Sequence, residues 1–350
     1  MDHNGEQTAA HRVIRVTAQD SPVADLVDLE AWEARSGYPE LRARGPLFAV
    51  GRRRADGLWE IVLMEEGNPQ AARDALMWRL REISREAQDP VVRDAHAAAV
   101  TRLEWETLNE LSVAGTDYRI IRGDLVARFG PDGPEPPRPT DPDPIPSAQS
   151  PRPRPRAEGF VIDAGAGTGM SEAILRAELT RFAYSRDAVP PKVYADSCRV
   201  RRTHPNVVIL PATYAVAEQY PDGHWETIMG SCATPQEARD TLAVYLRDLL
   251  PATRGVAKAD RSAYARAADR LKASRGCEAQ VDGRRFRLVR LDGIVRVGPD
   301  GPEKPRDSDW VPYPPSAVHD QQLRAEEAAE KAAEQAAEQG AGGDAADLAG

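Results

Sequence analysis

Hydrophobic positions along the chain switch between two periods. Positions 13–16 alternate in the manner of a short strand, whereas 22–35 show helical spacing after a capping-type Ser21. Segments 47–50 and 59–63 predict a hairpin turning at Asp56-Gly57. Asn68-Pro69 then opens a helix in which Ala72, Leu76, Leu80 and Ile83, spaced four, four and three, share one face. A second helix is predicted over 91–111. A closing hairpin turns at Ala114-Gly115 and puts Tyr118 and Ile120 on one strand face.

The same pattern returns 166 to 168 residues later. Asp56-Gly57-Leu58-Trp59-Glu60 recurs as Asp222-Gly223-His224-Trp225-Glu226. Pro69-Gln70-Ala71-Ala72-Arg73-Asp74-Ala75-Leu76 recurs as Pro235-Gln236-Glu237-Ala238-Arg239-Asp240-Thr241-Leu242, and Gly130-Pro131-Asp132-Gly133-Pro134-Glu135 is repeated unchanged at 298–303. Over 45–82 and 95–138 the copies share about 34 identities in about 82 positions. Self-similarity at a fixed offset marks duplicated structural units. The two-residue change of offset falls between two helical segments, where a connection tolerates insertion.

The second copy carries the clearest helix start in the chain. Thr234 is a good N-cap, Pro235 takes the first helical position and Glu237 completes a capping box. Ala238, Leu242, Leu246 and Leu249 repeat the apolar face, a further helix is predicted over 259–275, and Asp282-Gly283 turns the last hairpin ahead of Phe286 and Leu288. The expected fold is α+β: two tandem homologous units, each roughly βαββααββ, packed with pseudo-two-fold symmetry. The units span 1–144 and 159–318. A Pro/Arg-rich linker at 145–158 joins them, and an acidic Ala/Glu-rich tail at 319–350 is expected to be helical or disordered. The Pro-rich stretch after each unit is kept in both copies, so it reads as a turn plus an extended strap belonging to the unit.

Composition narrows the classes. With 350 residues, 41% of them hydrophobic, the chain buries a real core. Three cysteines exclude a disulfide scaffold, no apolar run approaches the roughly 18 to 20 residues of a membrane span, and the N-terminus has no signal-peptide pattern. A cytoplasmic location is expected. The net charge of -9 is uneven: residues 319–350 hold eight acidic and two basic residues, so the body is only slightly acidic. Five of the 46 basic residues are lysines, and the arginine excess reads as coding bias, weak support for nucleic-acid binding.

Three kinds of chemistry are candidates. Phe160-Val161-Ile162-Asp163-Ala164-Gly165-Ala166-Gly167-Thr168-Gly169 resembles the first motif of S-adenosylmethionine-dependent methyltransferases, which implies Asp163, Gly165, Gly167 and Gly169 as cofactor-binding residues. The βα units that such a fold needs downstream are replaced by the second repeat, so no cofactor is expected. Cys198, Cys232, Cys277 and the six histidines show no metal-ligand spacing, and no nucleophile elbow exists. The arginines kept in both copies are the third candidate. Arg73/Arg239, Arg119/Arg287 and Arg122/Arg290 read either as structural ion pairs or as an anion-binding surface beside a helix N-terminus.

The Trp-Glu hairpin, the Pro-Gln-x-Ala-Arg-Asp-x-Leu helix, the Gly-Pro-Asp-Gly-Pro-Glu strap and Gly169-Met170-Ser171-Glu172 together resemble an uncharacterised domain-of-unknown-function family of high-GC Gram-positive bacteria, over about 10–325. The resemblance implies an architecture and brings no activity. The leading expectation is a non-enzymatic binding protein that uses a surface shared by the two units, its partner a protein or an anionic small molecule. The methyltransferase and anion or nucleic-acid readings are the alternatives. No catalytic residue, metal ligand or membrane contact is expected.

Overall fold

Local signals set most element ends. The computed structural model describes residues 16, 21–144, 157–257 and 260–344. Helix α1 (Pro22–Gly37) follows Ser21, whose backbone is extended but whose side chain makes no capping bond. β1 (Glu40–Arg53) and β2 (Trp59–Glu66) form the first hairpin, and Asp56 accepts from the Leu58 amide in its turn at 3.1 Å. α2 (Pro69–Glu86) and α3 (Pro90–Trp105) begin at caps, Asn68 accepting from the Ala71 amide and Asp89 from that of Val91, both at 2.9 Å. β3 (Glu110–Val113) and β4 (Thr116–Gly130) meet at Ala114-Gly115, with φ of 48° and 80°, the left-handed pair that a two-residue hairpin turn needs. β5 (Gly133–Pro134) folds back on the end of β4.

After it come β6 (Val161–Ile162), α4 (Met170–Arg181), α5 (Pro191–Thr203), β7 (Asn206–Ile209), β8 (Thr213–Gln219) and β9 (Trp225–Cys232). α6 (Pro235–Val244) starts at Thr234, which accepts from the Glu237 amide at 3.1 Å, while the Glu237 carboxylate reaches back to the Ala233 amide at 2.7 Å. α7 (Leu250–Thr253), α8 (Arg261–Ser274), β10 (Glu278–Val281), β11 (Arg284–Gly298), β12 (Gly301–Pro302) and α9 (Ser316–Asp344) complete the chain.

Two expectations are corrected. The helix over 91–111 stops at Trp105, because buried Leu111 and Val113 alternate with exposed Glu110 and Ser112 and pair with β4. Leu249 was expected on the apolar face of α6 but is 50% exposed. A π-helical turn at Tyr245–Leu249 adds a residue to the turn and swings Leu250, fully buried, into that place. Pro251, which has no N–H to donate, lies directly beyond. The strand expected at 13–16 and the linker at 145–158 lie almost wholly outside the described residues; Val16 makes one bridge to Thr168, and the described end of the linker starts at Ala157. The tail is helical through α9, its side chains exposed from Asp320 to Ala333.

The strands hydrogen-bond into one sheet in the order β6-β2-β1-β4-β11-β8-β9, with β3 and β5 added on β4 and β7, β10 and β12 on β11, and all these pairings are antiparallel. At the seam Asp124 faces Ile294, Leu125 faces Gly293 and Val126 faces Asp292. One sheet face carries two helix-covered cores. Phe48, Leu76, Leu80, Leu103 and Ile120 pack under α2 and α3; Tyr214, Leu242, Leu246, Leu271 and Phe286 pack under α6 and α8. Leu179 of α4 fills the space between, against Val126, Val207 and Ile294. Each large apolar side chain buried in this way contributes about 1.5–3 kcal/mol. Neighbouring residues such as Leu47, Ile121 and Val295 point to the other face and form its core with Trp59 and Ile61.

Candidate functional site

The segment after β4 and the segment after β11 are both straps, and each binds the other half of the chain. Glu135 donates its amide to the Arg128 carbonyl and accepts from the Arg290 amide, each at 2.9 Å. Glu303 does the same with Arg296 and Arg122, each at 2.8 Å. Arg287 donates to the Pro134 carbonyl at 2.9 Å and to Glu278, and lies 5.0 Å from the Trp225 ring centre. Arg119 donates to the Pro302 carbonyl at 2.8 Å and to Glu110, and lies 4.9 Å from that of Trp59. The straps pass so close that a Cβ on Gly133 would sit 2.3 Å from Trp225 Nε1, and one on Gly301 2.8 Å from Trp59 Nε1. At φ of +113° and +110°, both positions also favour glycine by conformation.

The six arginines singled out from the sequence fall into two rows of three, and each row meets the opposite strap. Arg290 pairs with Asp292 and with strap residue Asp141, and farther on Arg239 meets Asp143. In the other row Arg122 pairs with Asp124 and Asp309, while strap residue Tyr313 hydrogen-bonds Asp74 beside Arg73. Arg73 itself holds Gln70 and Asn109. Five of the six are buried and Arg290 is half-buried. Among the described residues they are spread over different surfaces: Arg290 lines one cleft and Arg119 another. Two carboxylates at each lock, Asp124 and Asp309 at Arg122 and Asp292 and Asp141 at Arg290, were missed in the sequence. Their retention at an offset of 168 was a usable signal.

The two locks differ in what stands beside them. Tyr184 is buried against the first: its hydroxyl donates to Asp124 and accepts from Arg122 Nη2 at 3.2 Å. Burial alone would lower the Arg122 pKa, but Asp124 and Asp309 outweigh it and hold the guanidinium charged. Burial likewise would raise Asp124, and Arg122 with Arg306 brings it below its ordinary value. Tyr184 is raised, by burial first and by Asp124 second. Nearby Arg296 donates to the carbonyls of Leu179, Thr180 and Phe182; burial lowers its pKa to about 10.

The second lock opens on a cleft of about 610 Å³. Arg290 and Asp292 form part of its wall, with Arg128 and Arg138 from β4 and its strap. Val27 and Trp32 of α1, Leu175 of α4 and Phe160 supply apolar wall. α1 is tied over the cleft by Ser171, which donates to Asp28 through both amide and hydroxyl, and by Glu30, which accepts from the Thr140 amide. Arg128 is 4% exposed and gives Nη2 to Glu178 at 2.7 Å, a carboxylate shared with Arg35. Its Nη1 is buried with no hydrogen-bond partner among the described residues. The arginines on this wall are each paired with a carboxylate, Glu172 adds a carboxyl whose pKa burial raises, and Arg128 Nη1 is a donor left over.

The glycine-rich loop has another setting. β6 lies at the sheet edge, antiparallel to β2, where a methyltransferase motif needs a strand inside a parallel sheet. Asp163 accepts from the Gly165 amide at 2.7 Å, and the Ala164 and Ala166 carbonyls accept from Arg176. Gly169 precedes α4 as its N-cap residue. Asp163 and Gly165 line a second cleft, of about 690 Å³, with Trp59 and Arg119. No disulfide joins the three cysteines, and no cluster of metal-ligating side chains occurs among the described residues.

Strap, hairpin and α4 all lie inside a stretch, residues 21–312, that matches one protein family. The chain belongs to DUF5954, a family of unknown function. The DUF5954 match ends before α9, so the acidic helix lies outside it. No curated protein and no solved structure matches the chain. No helix among the described residues is long and apolar enough to cross a membrane.

Proposed function

We propose that the chain is one α+β unit written twice, and that it is a non-enzymatic binding protein which holds a small organic anion in the cleft between the copies. Reciprocity supports the duplication. Positions 125 and 293 differ by the repeat offset and face each other across the seam. The contacts of Glu135 with Arg128 and Arg290 become those of Glu303 with Arg296 and Arg122 when 168 is added or subtracted. A two-fold axis through the seam accounts for both.

One observation carries the binding reading: the unpartnered Nη1 of Arg128 in the wall of a cleft to which both halves contribute. A buried guanidinium N–H without an acceptor is costly, and a carboxylate supplies a charge-assisted partner. Apolar walls with a few placed polar groups suit a small molecule. The retained arginines, each matched by carboxylate, carbonyl or amide oxygens, act as fasteners for the straps and loops. That favours this reading over nucleic-acid binding through them. Three cysteines without a disulfide accord with a reducing cytoplasm. Calorimetric titration with N-acetyl-L-phenylalanine tests the proposal. Saturable binding is expected, weakened at least about tenfold by Arg128→Met. Binding that is unchanged in that variant, or absent at millimolar ligand, overturns it.

A further inference from the structure

We infer that the outer edge of β9 docks an extended, acidic segment of another protein, with a carboxylate of that segment held by Arg44; the inference rests on the two-copy reading above and lies apart from the cleft. The template is inside the molecule. β2 and β9 correspond at the 166-residue offset. β2 carries one more strand, β6, on its outer edge, whereas β9 ends the strand order with nothing among the described residues paired outside it. On β2 the Ile61 amide donates to the Phe160 carbonyl at 2.9 Å, and the Ile61 carbonyl accepts from the Gly159 amide at 2.7 Å. Val161 then faces Glu60 and Ile162 faces Trp59.

Thr227 is the counterpart of Ile61, and Trp225 that of Trp59. The two hairpins share one register. Ile61 faces Gly51 and Thr227 faces Ala217, while at the turns Arg54 donates its amide to Leu58 at 2.8 Å and Tyr220 to His224 at 2.9 Å. Antiparallel pairs alternate between bonded and non-bonded, so Thr227, like Ile61, turns its N–H and C=O outward. Exposure agrees: Trp59, beside β6, is buried, and Trp225, with no such strand, is half-buried. An unpaired edge is a template for a further strand, and charges or prolines are its usual guards. From Thr227 to Cys232 the strand has neither.

Arg44 selects the chemistry of the segment. Its counterpart, Leu210, packs with Trp59, Ile61, Ile162 and Phe160. At the matching place beside β9 a guanidinium replaces the leucine. Arg44 Nε is buried with no hydrogen-bond partner among the described residues. Burial lowers the Arg44 pKa, and Glu226 of β9 acts the other way, which sets the guanidinium near this edge. Glu226 itself is exposed and accepts from the Tyr220 hydroxyl. On an added strand the residue at the place of Phe160 lies on the Arg44 side. An aspartate or glutamate there supplies the charge-assisted acceptor, whereas a lysine sets two cations together. Two places on, an apolar residue covers Trp225 as Ile162 covers Trp59. Main-chain bonds give such strand additions their affinity, and alternate side chains their choice of sequence.

The probe is a peptide of residues 157–164 with Phe160→Glu, set against the same peptide with Phe160→Lys, each titrated into the full chain by calorimetry. The glutamate peptide is expected to bind saturably and at least about tenfold more tightly, the scale of one hydrogen bond between charged groups. Arg44→Met, checked for native melting, is expected to bring that ratio towards one. N-methylation of the glutamate peptide at Gly159 removes the donor to the Thr227 carbonyl and is expected to weaken binding at least about tenfold. The peptide comparisons need no variant, so a misfolded Arg44→Met leaves them intact. Equal binding of the two charge forms, binding that survives N-methylation, or no binding at millimolar peptide overturns the inference. Sedimentation showing a dimer that Thr227→Pro abolishes assigns the edge to a second copy and overturns it too. Each such failure spares the cleft reading and the duplication, which do not depend on this edge.

Discussion

The Arg122 and Arg290 locks share a sequence pattern, an arginine and an aspartate two residues apart on a strand plus an aspartate from the opposite strap. Their surroundings diverge. Arg122 is 1% exposed and sealed by Tyr184, whereas the Arg290 side chain is 13% exposed and borders open space. The difference comes from a third party, the segment from α4 to Tyr184, which covers one lock and leaves the other. Matching fasteners on one face of a sheet are thus sealed in one half and left at a cleft in the other, according to what lies over them.

Removing the arginines should break this comparison most sharply. Arg122→Met takes from buried Asp124 and Asp309 the guanidinium they share and should cost about 3–5 kcal/mol. Arg290→Met should cost less, about 1–3 kcal/mol, because the Arg290 side chain is 13% exposed and keeps part of its contact with water. Urea denaturation of both variants checks the order, and equal losses would show that the second lock is as sealed as the first. The strap-facing tryptophans offer a similar contrast. Trp59 is buried and Trp225 half-buried. Trp59→Ala should therefore lose about 3–5 kcal/mol and Trp225→Ala about half of that, read from thermal melts.

Tyr184→Phe is the smallest change, about 1–2 kcal/mol at neutral pH. Its signature is in the pH dependence. The folded-state pKa of Tyr184 is raised by burial, so its contribution is complete below its unfolded value of about 10 and is lost as pH climbs through the folded value. Asp124 is depressed in the folded state, so its contribution holds above about pH 4 and is lost as pH falls through the folded value. A stability profile from pH 2 to 11 should lose part of its alkaline limb in Tyr184→Phe and keep an acid limb. An unchanged alkaline limb would mean that the phenol is not held in its neutral form.

Caps and turns were legible because their causes are local. Asn68, Thr234 and Glu237 act on amides within four residues, and Ala114-Gly115 needs only its own dihedrals. The apolar stripe was legible down to Leu246 and failed at Leu249, where one turn of π-helix changed the residue count. The repeat exposed the arginines but not their partners. Arg119 meets Pro302 183 residues away, and Arg122 meets Asp309 187 residues away. No spacing rule reaches that far. Tyr184 and Glu178 had no counterpart in the repeat register to draw attention to them, and only packing brought them to Arg122 and Arg128.

By itself, then, the amino-acid sequence determined the local elements, the recurrence of a pattern and the list of arginines held in common. Backbone propensity, capping and hydrophobic period act over a few residues, and all three are written in neighbouring letters. Tertiary structure decided which strap crosses to which strand, that the strands join one sheet, and that of two matching arginine–aspartate pairs one is covered while the other borders a cleft. Those outcomes depend on burial and on charge pairing between segments more than a hundred residues apart, which exist only once the sheet has closed at its seam.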